Sequence, residues 1–202
     1  MPKQDLILII GNGRSVLEYS FGEQINKFLV VGRINNYSTI KFEDYIGQKT
    51  DIWFNAADQN LKKKNKNPNE IVVFIPREIL YRKGERIHNR ISKRLNISKE
   101  EYSLVPIETM EQFEEQLGVT RLTTGTSSIL WALENYQTVV IHGFDFFIDS
   151  NSDYNENVIN KWLIDWGIKK KGGKHDLTVE KQFIENQIKE NKLIQLKEYL
   201  SP

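Results

Sequence analysis

The apolar residues of this chain fall into short unbroken runs, each stopped by a turn-forming or breaking residue. Residues 6–10 are all aliphatic and stop at Gly11; residues 28–31 stop at Gly32, 52–54 at Asn55, and 71–75 at Pro76. Unbroken runs of this length, with no polar alternation, suit strands covered on both faces. The period then changes. Ile79, Leu80, Ile87, Ile91 and Leu95 are spaced for one amphipathic helix over 78–95, and an acidic helix is expected over 108–117 after a short strand in 103–106. Ser15 reads as the N-cap of a short helix, and Thr123 to Ser128 as the opening of a helix reaching about Asn135. A strand over 138–142, a helix over 177–190 and a last strand in 193–196 complete the pattern. The segment 60–69 reads as an exposed loop whose lysines are solvated, and 151–160 and 169–174 as polar loops.

Strands alternating with helices predict an α/β fold: a single doubly wound, mainly parallel Rossmann-like sheet with helices on both faces. One domain over 1–202 is expected, with a candidate lid at 149–174.

Composition narrows the functions. The 28 basic and 27 acidic residues nearly cancel, so no overall field favours nucleic acid, and none is expected as a partner. The absence of cysteine excludes disulfides and thiolate metal sites and suits a reducing compartment. The run 6–10 is too short for a signal peptide or a membrane span, so a cytoplasmic protein is expected. Peripheral association with the inner face of the membrane would follow if its acceptor were lipid-linked. The basic residues Arg77, Arg82, Lys83, Arg86, Arg90, Lys93 and Arg94 read first as a solvated helix face. The sharper reading is a surface for an anionic acceptor or phospholipid.

In open parallel sheets ligands sit beyond the carboxyl ends of the strands. Three such ends carry small or amide residues: Gly11-Asn12-Gly13, Gly32-Arg33-Ile34-Asn35 and His142-Gly143-Phe144-Asp145. The Thr-Thr-Gly-Thr helix start adds N–H groups that favour an anion. Together they suggest a nucleotide pocket. Val16 breaks the dinucleotide fingerprint and no P-loop run is present, so neither chemistry has support.

The order of these pieces resembles the sialyltransferases. Gly11-Asn12-Gly13-Arg14-Ser15, Arg33-Ile34-Asn35 and Gly47-Gln48-Lys49-Thr50 are similar to their large sialylmotif. Thr124-Gly125 and the later Gly143-Phe144 resemble the small motif, and His175 to Glu180 the H-x4-E of the very short motif. Gly143-Phe144-Asp145-Phe146-Phe147 also resembles the G-x-D-F-[YF] strand end of bacterial sialyltransferases. The resemblance implies a GT-A-like variant of the fold and an inverting transferase. The sugar moved would be an acidic keto sugar, of sialic acid or Kdo type, passed from a CMP-activated donor to a glycan or lipid-linked acceptor, with no metal cofactor. It implies that Asn12 and Asn35 hold the donor phosphate and ribose. Gly11, Gly13, Thr124, Gly125, Gly143 and Phe144 border the nucleotide, with Arg33 in support. His175 becomes the general base, a role that suits histidine as a residue type, and Glu180 a support for the last helix and the site's geometry.

Two departures stand out. Arg14 replaces the usual proline, and no histidine lies between His142 and His175 to meet the donor phosphate, leaving Tyr154 as substitute. A non-catalytic nucleotide-binding Rossmann-like module is the alternative. His88 reads as a surface residue and His142 as a packed one. Trp131, Trp162, Trp166 and Phe146 read as core, and Asp149, Asn151 and Asp153 as loop polarity rather than a metal pair.

Overall fold

The computed structural model describes residues 3–62, 64, 66–145 and 176–201. Seven strands form one sheet: β1 (Gln4–Ile10), β2 (Val31–Ile34), β3 (Ile52–Asn55), β4 (Glu70–Val73), β5 (Ser103–Leu104), β6 (Tyr136–His142) and β7 (Ile194–Gln195). Their order is β5-β4-β3-β2-β1-β6-β7 and every pairing is parallel. The chain therefore winds outward from β1 in one direction, then returns to its other side. That reversal between β1 and β6 is where an open parallel sheet leaves a crevice.

Alternate residues of β1 feed two cores. Ile7 and Ile9 join one cluster, Leu8 and Ile10 the other, and all four are buried. The larger cluster lies under α3 (Arg77–Lys83), α4 (Arg86–Leu95), α5 (Ile107–Leu117), α6 (Thr124–Asn135) and α7 (Leu177–Lys189). The smaller lies under α1 (Gly22–Asn26), α2 (Glu43–Ile46), α8 (Leu196–Leu200) and a 3-10 turn at Arg14–Leu17. Each such aliphatic side chain contributes roughly 1.5–3 kcal/mol by leaving water, which explains why the run at 6–10 contains no polar residue.

Three expectations are corrected. The second strand is not the apolar run 28–31 but Val31–Ile34, so Arg33 lies inside the sheet, fully buried. Its position is stable because its guanidinium donates to carbonyl oxygens of Ile46 (2.5 Å), Gly47 (3.2 Å) and Lys49 (3.1 Å) and to the Thr50 hydroxyl (3.0 Å). The helix expected over 78–95 is two helices, broken at Gly84 with φ +49°. Ser15 caps nothing: Gly13 precedes the 3-10 turn, and the Ser15 hydroxyl donates to Asp145. The candidate lid at 149–174 and the polar loops within it lie outside the described residues. Among the described residues no helix is long and apolar enough to cross a membrane.

Candidate active site

The carboxyl ends of β1 and β6 are joined by their backbones. Gly11 donates to the His142 carbonyl (2.8 Å) and Gly13 to the Gly143 carbonyl (2.9 Å). This contact needs residues without a Cβ. One added at Gly11 would stand 2.3 Å from the Gly143 carbonyl oxygen. Gly143 itself has φ +73°, and a Cβ there would fall 2.2 Å from Cγ1 of Val16. Asp145 closes the joint by accepting from the Ser15 N–H (3.0 Å) and hydroxyl. The first glycine turn and the Gly-Phe-Asp turn, 130 residues apart in the chain, thus form one floor.

The opening of α6 borders that floor. A Cβ on Gly125 would lie 3.3 Å from Cε1 of Phe144 and 3.8 Å from Cδ1 of Ile34. Thr124 is buried one residue earlier. Glu180, fully buried on α7, fixes this helix start. Its carboxylate accepts from the Thr123 N–H (3.1 Å), the Thr123 hydroxyl (2.6 Å) and the Thr126 hydroxyl. Burial pushes the Glu180 carboxyl above the ordinary carboxylate range, opposed by those hydrogen bonds. It ties α7 to the N-terminus of α6.

Three asparagines stand at the ends of β1, β2 and β3. Asn12 donates through Nδ2 to the Ile34 carbonyl (3.1 Å), leaving Oδ1 buried with no hydrogen-bond partner. Asn35 takes a left-handed backbone (φ 48°), which asparagine tolerates, and its carbonyl accepts from Nε1 of Trp53 (2.8 Å). Its Oδ1 is likewise buried and open. Asn55, fully buried, accepts through Oδ1 from the Ala57 N–H (3.0 Å), and its Nδ2 is open. Buried polar atoms are paired in most proteins, and each one left unmade costs about 1–3 kcal/mol. A row of three at adjacent strand ends is the mark of a site that a polar ligand completes.

The structure brings Gly11, Asn12, Gly13, Asn35, Thr124, Gly125, Gly143 and Phe144 together beyond the strand ends. Arg33 is not among them: it braces the 46–50 loop from within the sheet and supports the site only through that strand. His175 and Tyr154 lie outside the described residues. Asp176, which follows His175 in sequence, caps α7 by accepting from Val179 N–H (3.2 Å). Sequence reasoning left Asn55 unused, although its place at a strand's carboxyl end was the available signal. His142 is a packed residue, edge-on to Phe21 (5.9 Å between ring centres), with its pKa lowered by burial to about 4. His88 is half-buried rather than on the surface, with Nδ1 2.6 Å from the Tyr102 hydroxyl. Trp131 packs on Phe54 (5.4 Å), as a core residue does; Trp162, Trp166, Phe146, Asp149, Asn151 and Asp153 lie outside the described residues. Lys64 is not a solvated loop lysine. Its ammonium sits 3.5 Å over the Tyr37 ring, donates to the Tyr37 carbonyl (2.7 Å), and has its pKa lowered to about 8, first by burial and then by Arg33 and Lys62.

A cavity of about 420 Å³ opens beside the asparagine row, beyond the ends of β2, β3 and β4. Asn35, Thr124, Ser127 and four arginines are among its lining residues.

Comparison with known proteins fits this geometry. By fold the chain is similar to a mammalian sialyltransferase (TM-score 0.73, 19% identity, covering 96% of this chain and 69% of that one). It is also similar to CstII from Campylobacter jejuni, a sialyltransferase solved with the substrate analogue CMP-3FNeuAc (TM-score 0.62, 18% identity, 96% and 82% covered). A third likeness is to Cst-I of the same organism, a monofunctional alpha-2,3-sialyltransferase (TM-score 0.60, 17% identity, 96% and 76% covered). No curated protein matches by sequence. The model of glycosyltransferase family 29 (sialyltransferase) matches residues 8–192. The chain belongs to that family of glycosyltransferases.

Proposed function

We propose that the protein is an inverting transferase that moves an acidic keto sugar, of sialic acid or Kdo type, from a CMP-activated donor to a hydroxyl of a glycan or glycolipid. The observation that carries this reading is the row of open amide atoms on Asn12, Asn35 and Asn55 beside the α6 N-terminus. Their chemistry divides the work. With one Nδ2 hydrogen donated to Ile34, the buried open atom of Asn12 is its Oδ1 acceptor, which suits a ribose hydroxyl or the cytosine amino group. With Oδ1 accepting from Ala57, the buried open atom of Asn55 is its Nδ2 donor, which suits the phosphate or the sugar carboxylate. Gly11, Gly13 and Gly143 let the nucleotide approach backbone, with Gly125 and Phe144 bordering the base.

The leaving group is a nucleoside monophosphate, whose growing charge N–H donors at Asn55 and the first turn of α6 stabilise. Tyr154 supplies a further hydroxyl in this reading. His175 takes the proton from the attacking acceptor hydroxyl, and no metal clamp is needed because the departing group carries a single phosphate. Slow hydrolysis of CMP-Neu5Ac or CMP-Kdo by the purified protein, with EDTA present, tests the donor and the metal together. His175→Ala should remove transfer by at least about 100-fold and leave CMP affinity unchanged. Unchanged turnover in that variant would contradict the assignment.

A further inference from the structure

The four arginines of the cavity come from three places in the chain. Arg82 lies on α3, Arg90 and Arg94 on α4, and Arg121 on the segment leading to α6. Asp58 is the lone carboxylate among the cavity's lining residues. Two guanidiniums are partly committed, Arg94 donating to the Ala57 carbonyl (2.6 Å) and Arg121 to Glu78. Arg90 differs: its Nε is buried with no hydrogen-bond partner. Burial, then the positive charges of Arg94 and Arg82, lower its pKa, with Asp58 in partial opposition.

This arrangement is unfavourable without a ligand. Arg90 and Arg94 are four apart on one helix, a spacing at which like charges repel. An unpaired buried N–H adds to that cost. A solvated helix face would turn these side chains outward; here they line a cavity shared with Asn35 and Thr124. Guanidinium forks match carboxylate and phosphate oxygens. Under the proposed function the donor's single phosphate is met by Asn55 Nδ2 and the first-turn N–H groups of α6, which leaves the arginines to a second anion.

We infer that the Arg82–Arg90–Arg94 end of the cavity is an acceptor subsite for a carboxylate or phosphate, so that the acceptor is an anionic glycan rather than a neutral one. This rests on the donor reading above. Arg121 and Ser127 line the same cavity. Arg94, which also props the Ala57 carbonyl, keeps the loop after β3 in place.

The test is equilibrium binding of lactose, 3′-sialyllactose and lactose 6-phosphate to the full chain saturated with CMP, which fills the donor site. One of the anionic sugars should bind at least about 10-fold more tightly than lactose, the effect of one charge-assisted hydrogen bond. Arg90→Gln and Arg82→Gln/Arg90→Gln should erase most of that preference while leaving CMP affinity within about 2-fold. Arg82→Gln alone, at an exposed position, provides a folded variant should Arg90→Gln unfold. Equal binding of all three sugars overturns the inference, as does a preference the variants keep. If the anionic sugars compete with CMP, or the variants weaken CMP instead, the arginines serve the donor and the inference falls. Failure of CMP itself to bind would sink the donor reading, a separate result seen before any sugar is added.

Discussion

Two neighbouring regions beyond the strand ends, the glycine and asparagine turns and the arginine-lined cavity, are built from opposite materials. One side is backbone and neutral amides: glycine turns in van der Waals contact, three asparagines at neighbouring strand ends, and a helix start tied down by Glu180. The other is charge on side chains from α3, α4 and the approach to α6. The first side is rigid because each part is wedged against another, so it can hold one ligand shape closely. The second is long side chains around a void, which select for charge more than for shape. Under the proposed function the first is a fixed cradle for the nucleotide and the second a charge filter for the acceptor.

The largest break in the first side should come from Gly143→Ala. A side chain there meets Val16 and a left-handed backbone, so a loss of about 3 kcal/mol or more is expected, a fall of roughly 6–12 °C in Tm by thermal unfolding. Arg82→Gln should leave Tm within about 1 °C by the same measurement, which is the contrast between the two sides in its simplest form. Next comes Glu180→Ala. It strands the Thr123 N–H and two hydroxyls at the α6 start, costing about 2–4 kcal/mol in urea unfolding, with CMP affinity falling as that helix start loosens.

A smaller effect follows from pH. His142 is held neutral with a pKa of about 4 in the folded chain, below its ordinary value of 6.5. Between those values the unfolded chain binds a proton that the folded chain refuses. Stability is therefore full above about pH 6.5 and falls as pH drops toward 4, by about 2–3 kcal/mol. Urea unfolding at pH 7 and pH 5 checks the direction, and His142→Phe should flatten the difference. The smallest effect is expected from Asn55→Ala, about 5–10-fold in CMP affinity by calorimetry.

Much of the neutral side was legible in the sequence, and the reason is local. A strand that stops at Gly-Asn-Gly or at Gly-Phe announces a turn that backbone or ligand approaches closely, and Thr123 announces a helix start by its capping chemistry. What misled was burial of polar groups by distant partners. The apolar run 28–31 looked like the second strand because it stops at Gly32 before the charged Arg33; carbonyls of residues 46, 47 and 49 let Arg33 lie inside the sheet instead. Lys64 was hidden the same way by Tyr37. The charged side was not legible as a site. Arg90 and Arg94 repeat at a spacing shared by any solvated helix, and nothing in the chain's linear order links them to Asn35 or Arg121. Only the packing of α3 and α4 beyond the ends of β3 and β4 does so.

The account stands on the asparagine row being the nucleotide site. Calorimetric titration of CMP into the wild type, Asn12→Ala, Asn35→Ala and Arg90→Gln tests it most directly. One CMP per chain should bind, weakened about 10-fold by each asparagine change and unaffected by Arg90→Gln. No CMP binding, or weakening only in Arg90→Gln, would contradict it.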